Sequence, residues 1–299
     1  MNAARTLFTS IVDYAGLFPP AELLMRPALA RYAGHRTGPY AWMVGRFVLP
    51  LAQLDEFEHA FDALPAEHRA VPWALAVLGG KSLDADARRI VDFNRRHGDE
   101  GRQDARIEAI DLKVHSLEDI ERAADVLSEP GEIYFEIAIS ADPGDRIAAV
   151  AAAGGRAKVR TGGVREDMFP SVPDLARFLS VCAANHVPFK ATAGLHHAIR
   201  SAHPITSDPD APVVTMHGFV NLFVAAALAA EDRVGLDGLE QVLGEQDAAA
   251  FHFDQAGVST HGRRLNCEEL TRARRQFALS YGSCSIEEPT AELTALGLI

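Results

Sequence analysis

Residues 157–193 read AKVRTGGVREDMFPSVPDLARFLSVCAANHVPFKATA, and the fold can be worked out from this stretch. A short strand-like run, Ala157–Thr161, is followed by Val172–Asn185, whose apolar residues recur at spacings of three and four. A second run, Pro188–Ala193, comes next, and Ser171 stands where the intervening helix needs an N-cap. Strand, helix and strand at this length make a βαβ unit. The rhythm continues in both directions. Upstream, strands are predicted at Ser10–Tyr14, Ala41–Val48, Pro72–Leu78, Ile107–Val114 and Glu132–Ile139; downstream, an eighth is predicted at Ala249–Phe253. Helices are predicted at Leu51–Leu64, Asp84–Arg96, Leu117–Leu127, Pro143–Ala153, Phe219–Ala230, Asp237–Gln246 and Asn266–Ser280, with Asp84, Ser116 and Asp237 as further N-caps. Eight strands alternating with helices predict an α/β fold, a (β/α)8 TIM barrel formed by residues 1–299 as one domain. A doubly wound open sheet is the other arrangement, but no GxGxxG turn follows an early strand. The Pro-, Ser- and Asp-rich segment Arg200–Met216 reads as a loop insertion at one mouth, and Glu287–Ile299 as a C-terminal arm.

The chain has 299 residues, 48% hydrophobic and 23% charged, the balance of an ordinary globular protein. Its net charge of −12 argues against nucleic-acid or anionic-membrane partners, which require a basic face. Cys182, Cys267 and Cys284 form no CxxC pair, so neither a disulfide framework nor a structural zinc site is expected. Met1 to Phe18 lacks the features of a signal peptide, and the apolar Phe219–Ala230 is too short to span a bilayer. The expectation is a soluble, cytoplasmic protein, with Phe219–Ala230 a buried helix or an interface in a homo-oligomer. Gly282-Ser283-Cys284-Ser285 reads as a small buried thiol, and the helix bearing Arg272, Arg274 and Arg275 as a solvated face or subunit contact.

Of the 29 basic residues only four are lysines: Lys81, Lys113, Lys158 and Lys190. Three of them fall on predicted strands. Ile110-Asp111-Leu112-Lys113-Val114 puts Asp111 and Lys113 on one face; Glu136 alternates with apolar neighbours, as do Lys158 and Arg160, and Lys190. The outer face of a barrel strand meets apolar helices, so these charges are expected to point inward. Arg cannot readily lose its proton, whereas a buried Lys can be tuned to act as nucleophile or base. One reading is a set of buried ion pairs with a structural role. The other is catalytic: crowded cations depress one lysine pKa, its amine attacks a carbonyl, and the resulting imine serves as an electron sink for carbon–carbon cleavage or formation. A second lysine and an acid then move protons. Such chemistry needs no cofactor.

Lys158-Val159-Arg160-Thr161-Gly162 resembles the K-x-x-T-G segment carrying the Schiff-base lysine of deoxyribose-phosphate aldolases. Phe189-Lys190-Ala191-Thr192-Ala193-Gly194-Leu195 is similar to the segment on that family's next strand that bears the second lysine. Ile110-Asp111-Leu112 resembles its aspartate strand, and Asp13 to Ala21 is a looser likeness of its N-terminal motif. The resemblance implies that Lys158 forms the imine, Lys190 tunes its pKa and Asp111 joins a proton relay; Glu136 completes the ordered set. Arg160 is a candidate for holding a substrate carboxylate or phosphate, helped by backbone amides around Gly162 and Gly194. Thr161, Thr192, His196, His197 and His252 are further candidates for contact with a small carbonyl substrate. The family's Gly-Ser-Ser phosphate loop has no counterpart after the last predicted strand, so a divergent aldolase-like lyase is expected.

The histidines carry a rival reading. His115, His196, His197, His217, His252 and His261 lie at or beyond predicted strand ends, where barrel sites assemble. With Asp111, Glu136 or Asp254 they would suit a metal-dependent lyase or hydrolase, although no HExxH or HxH motif occurs. Adjacent His196 and His197 on an extended chain point to opposite sides. A barrel that binds a small anion without catalysis is the third reading.

Overall fold

Eight parallel strands close on themselves in the computed structural model, which describes residues 2–98, 101–127, 131–139, 142–206, 208 and 210–299. In chain order the first strands are β1 (Val12–Tyr14), β2 (Val44–Pro50), β3 (Trp73–Leu78), β4 (Ala105–Lys113), β5 (Glu132–Ile137), β6 (Arg156–Arg160) and β7 (Phe189–Thr192). A hairpin follows, β8 (Ser201–Pro204) and β9 (Val213–Met216), then an antiparallel sheet of β10 (His252–Phe253), β11 (Gly257–Thr260) and β12 (Arg263–Asn266). Strand β13 (Ala278–Ser283) inserts between β7 and β1 and completes the barrel. This is the (β/α)8 architecture expected, with helices between successive strands.

The eighth barrel strand is not where the sequence was read to put it. Ala249–Phe253 contributes a 3-10 turn and the short β10, which pairs antiparallel with β11 outside the barrel. The strand that closes the barrel, Ala278–Ser283, begins within the stretch Asn266–Ser280 expected as a helix; that helix stops at Gln276. Helices Ala3–Phe8 and Met25–Thr37 lie outside the predicted elements. The second buries positions 25, 28, 29, 32 and 33, a helical stripe carried largely by alanines and a tyrosine, which stand out poorly in a hydrophobicity pattern. Segment Arg200–Met216 is a β-hairpin rather than a loop; positions 207 and 209 at its tip lie outside the described residues. Ser116 and Ser171 cap their helices, accepting from the backbone N–H of Asp119 and Asp174. Ser82 rather than Asp84 caps the helix Leu83–His97, and Asp237 lies in the first turn of a helix that begins after Gly235.

Phe219–Ala230 is no exposed interface. From Phe219 to Leu228 every residue is buried, against the helices Val172–Ala184, Leu236–Gly244 and Cys267–Gln276. It is the buried helix expected, whereas the Arg-rich helix departs at one position from the solvated face expected of it. Arg274 is buried and donates to the carbonyls of Leu7, Thr9, Ala278 and Leu279, joining the N-terminal helix to the start of β13. Burial, only partly offset by the charge of Asp13, pushes its guanidinium down to about 10.

Two cores of unequal size result. The outer one fills the space between strands and helices and includes stacked and edge-on rings of Tyr32, Phe47, Phe57, Phe61 and Trp73. The inner one is small: Val48, Ala76, Ala109 and Tyr134, with Ala15, Phe18, Leu78 and Leu279 against it. Alanines at two inward positions leave room inside the barrel, and charged side chains occupy it.

Candidate active site

Strand alternation and register assemble the charged group. Asp111 and Lys113 are two apart on β4, and Lys158 and Arg160 two apart on β6, so each pair shares a face. Across the sheet Lys113 is level with Glu136, Glu136 with Lys158, and Lys158 with Lys190, on strands about 4.8 Å apart. Lys158 Nζ meets Asp111 Oδ2 at 3.0 Å and Glu136 Oε2 at 3.2 Å. Lys190 Nζ lies 2.6 Å from the other Asp111 oxygen and 4.2 Å from the centre of the Tyr134 ring. Asp111 therefore bridges the two lysines, while Arg160 Nε donates to Glu136 Oε1 at 3.2 Å. Lys158, Lys190 and Asp111 are only 5, 3 and 6% exposed.

These groups form the floor of a cavity of about 550 Å³ at the C-terminal ends of the strands. Leu78, Phe18 and Val48 line it on the β1–β3 side; Met168 and Phe169 from the loop after β6, and Ile205 and Met216 from the hairpin, add further apolar wall. An apolar pocket with a few converging polar groups is the usual form of a small-molecule site.

The electrostatics differ from the expectation that cations crowd Lys158. Burial works to lower its pKa, but Asp111 and Glu136 outweigh that and hold the ammonium above its ordinary value. Asp111 keeps the second lysine on its far side. Burial likewise opposes ionisation of Asp111 and Glu136, yet Lys158 with Lys190, and Lys158 with Arg160, hold these carboxyls below their usual range. Lys158, Asp111 and Glu136 thus each favour the charged form at rest.

The remaining predicted residues divide. Arg160, Thr192, Gly194 and His196 line the cavity. Thr161, Gly162, His197 and His252 do not. Thr161 is fully buried and donates to the Ala193 carbonyl at 2.5 Å, tying the loop after β6 to the loop after β7. Gly162 serves the same join, because a Cβ there would stand 2.6 Å from Gly194 Cα. Gly194 itself has φ +75°, which favours glycine. His196 pairs with Glu288 at 3.2 Å and His197 with Glu292 at 2.6 Å, both on the helix Glu287–Ala295, and of the two only His196 lines the cavity. His252 is exposed on the outer sheet. His217 is buried, its Nε2 2.8 Å from the Pro170 carbonyl, and burial brings its pKa down to about 4. Cys284 lines the cavity, where burial pushes its thiol above the ordinary value. Among the described residues no group of three or more His, Cys, Asp or Glu is arranged to hold a metal ion.

Two participants were not in the predicted site. Asp13 on β1 lies 3.9 Å from Lys190 Nζ, accepts from Ser280 Oγ at 2.8 Å and from the Arg46 backbone N–H at 3.0 Å. Its signal was the Asp13–Ala21 motif likeness. Tyr134, under Lys190, had only its alternation with Glu136 to mark it. No protein-family model, curated protein or solved structure matches the chain. Among the described residues no helix is long and apolar enough to cross a membrane.

Proposed function

We propose that this protein is a lysine Schiff-base lyase, an aldolase-like enzyme that makes or breaks a carbon–carbon bond next to the carbonyl of a small substrate. The observation that carries the reading is Asp111 bridging two buried lysines at the floor of the cavity, with Glu136 on the other side of Lys158. A purely structural ion-pair group gains little from lysine over arginine, and this chain uses arginine for most of its other cations.

The chemistry begins with a proton transfer. When a substrate fills the cavity and displaces water, the Lys158 ammonium and Glu136 carboxylate lose solvent stabilisation. Passing one proton from Nζ to Glu136 turns this ion pair into a neutral amine and a neutral acid. Lys190, ion-paired with Asp111 on the side away from Lys158, adds positive charge nearby that opposes the return of that proton. The free amine adds to the substrate carbonyl carbon. Glu136 returns its proton to the departing hydroxyl, which leaves as water, and an iminium remains. In the cleavage direction a base, Asp111 or a water beside it, takes the proton of a hydroxyl on the β carbon, two removed from the iminium carbon. The bond between the α and β carbons breaks, the β carbon leaves as a carbonyl, and the electron pair moves into the iminium as an enamine. Protonation of the enamine carbon and hydrolysis release the second product and regenerate Lys158.

The test is intact-protein mass spectrometry after borohydride reduction with a panel of small aldehydes and ketones. A mass increment of the substrate minus one oxygen atom (water lost on imine formation, two hydrogens regained on reduction) is expected in the wild type and not in Lys158→Arg, which keeps charge but cannot form the imine. An increment of equal size in the variant sinks the assignment of Lys158.

A further inference from the structure

The cavity is charged against the sign of the whole molecule. Four cationic side chains line it (Lys113, Lys158, Arg160 and Lys190) beside three carboxylates (Asp13, Asp111 and Glu136), on a chain of net charge −12. Three of the cations have carboxylate partners. Lys113 is different: it is exposed to the cavity, and no hydrogen bond or ion pair engages it among the described residues. Arg160 is engaged with Glu136 through Nε, and its Nη1 makes only a long 3.5 Å contact to the Gly162 carbonyl. One edge of its guanidinium is left to the cavity, and its side chain is 34% exposed.

Geometry brings these two together. Lys113 is level with Glu136 on β4, and Arg160 lies one pleat beyond the Glu136 partner, Lys158, on β6. The two cations flank Glu136 from strands about 10 Å apart, a gap that two long side chains span from both sides. The opposite wall, Phe18, Val48 and Leu78, is apolar.

We propose that Lys113 and the free edge of Arg160 form an anion subsite, so that the substrate is a carbonyl compound with one acidic group held above Glu136 and an apolar flank on the β1–β3 side. The carbonyl half rests on the imine reading of Lys158; the anion half does not. An acidic group there is recognised by charge and by the donors of the guanidinium, which suit a carboxylate or a phosphate alike.

Two measurements keep the halves apart. Calorimetric titration at constant ionic strength would compare hexanoate, hexyl phosphate and 1-hexanol against wild type and Lys113→Met. The subsite predicts that at least one of the anions binds the wild type, that hexanol is at least 10-fold weaker, and that Lys113→Met loses 10-fold or more in anion affinity. The tighter of the two anions identifies the acid. Equal affinities in wild type and variant, or no binding of either anion, overturn the subsite. Borohydride trapping with 5-oxohexanoate against 2-hexanone then reads the imine half. The ratio of acid to ketone trapped falls toward one in Lys113→Met if both halves hold. A ratio near one already in the wild type overturns the subsite and leaves the imine. Anion binding with no trapping of either compound overturns the carbonyl half alone.

Discussion

Both ends of the barrel carry a buried or half-buried charge cluster, and they are built from different cations. At the N-terminal ends of the strands Arg46 reaches Glu108 at 2.9 Å and Glu132 at 2.8 Å, and Arg156 reaches Glu132 at 3.1 Å. These residues line a second cavity of about 490 Å³. At the C-terminal ends the buried pairing cations are Lys158 and Lys190, with the part-exposed Arg160 beside Glu136. A guanidinium fork joins two carboxylates at fixed angles and keeps its proton; an ammonium is a point charge that can give one up. The fold uses the first to fasten strand β2 to β4 and β5, and offers the second to the mouth where barrel enzymes assemble their sites. The two clusters teach that charge alone does not separate a fastening from a candidate reaction centre. The kind of cation does.

Exchanging the cations breaks the comparison most directly. Lys158→Arg is expected to reduce turnover, or the rate of borohydride trapping, by about 1,000-fold or more. Its circular dichroism spectrum should stay that of the wild type. Asp111→Asn comes next. Removing the carboxylate that bridges the lysines lowers the pKa of Lys158, so the pH at half-maximal trapping should move downward while the maximal rate falls about 10- to 100-fold. A midpoint that stays put or rises would show that Asp111 does not set the charge on Lys158.

At the other end the effect should be on stability. Arg46→Lys cannot hold both Glu108 and Glu132, and a loss of about 1–3 kcal/mol in chemical denaturation is expected, with trapping at the C-terminal mouth unaltered. A trapping defect equal to that of Asp111→Asn would mean that the two clusters act as one. The smallest effect concerns pH. His217, at about 4 in the fold against an ordinary 6.5, is neutral in the native state while the unfolded chain takes up its proton first. Stability from this group is complete above about pH 6.5 and is lost as pH falls toward 4, by at most on the order of 3 kcal/mol. His217→Gln, which keeps an N–H for the Pro170 carbonyl, should flatten the fall in urea midpoint between pH 7 and 4.5; parallel curves would remove His217 from the account.

Much of the barrel was legible because its middle strands alternate strongly. Lys158, Glu136 and Asp111 each sit among β-branched or aromatic neighbours, and a period of two fixes the side they face. The closing strand was not legible, because Ala278-Leu279-Ser280-Tyr281-Gly282-Ser283 is built of small residues and follows a helix without a turn signal. Its loss also hid Ser280 and its hydrogen bond to Asp13. The candidate site was readable to the level of which strands carry charge. Which charge neighbours which was not, since that depends on barrel stagger, and so the carboxylate between the two lysines was read as crowding of cations. Thr161 and Gly162 belonged to a resembling motif, and a motif does not tell a residue that touches a ligand from one that shapes the loop beside it.

The contact between Gly162 and Gly194 has a consequence for how sequences of this fold can drift. A side chain at either position meets the backbone of the other loop at 2.6 Å, so neither loop can accept a larger residue until the other has moved. The two positions are mutationally coupled. A relative that carries alanine at one of them should carry an altered length or course in the partner loop, and grafting the single change without the loop should unfold the junction above Lys158 and Lys190.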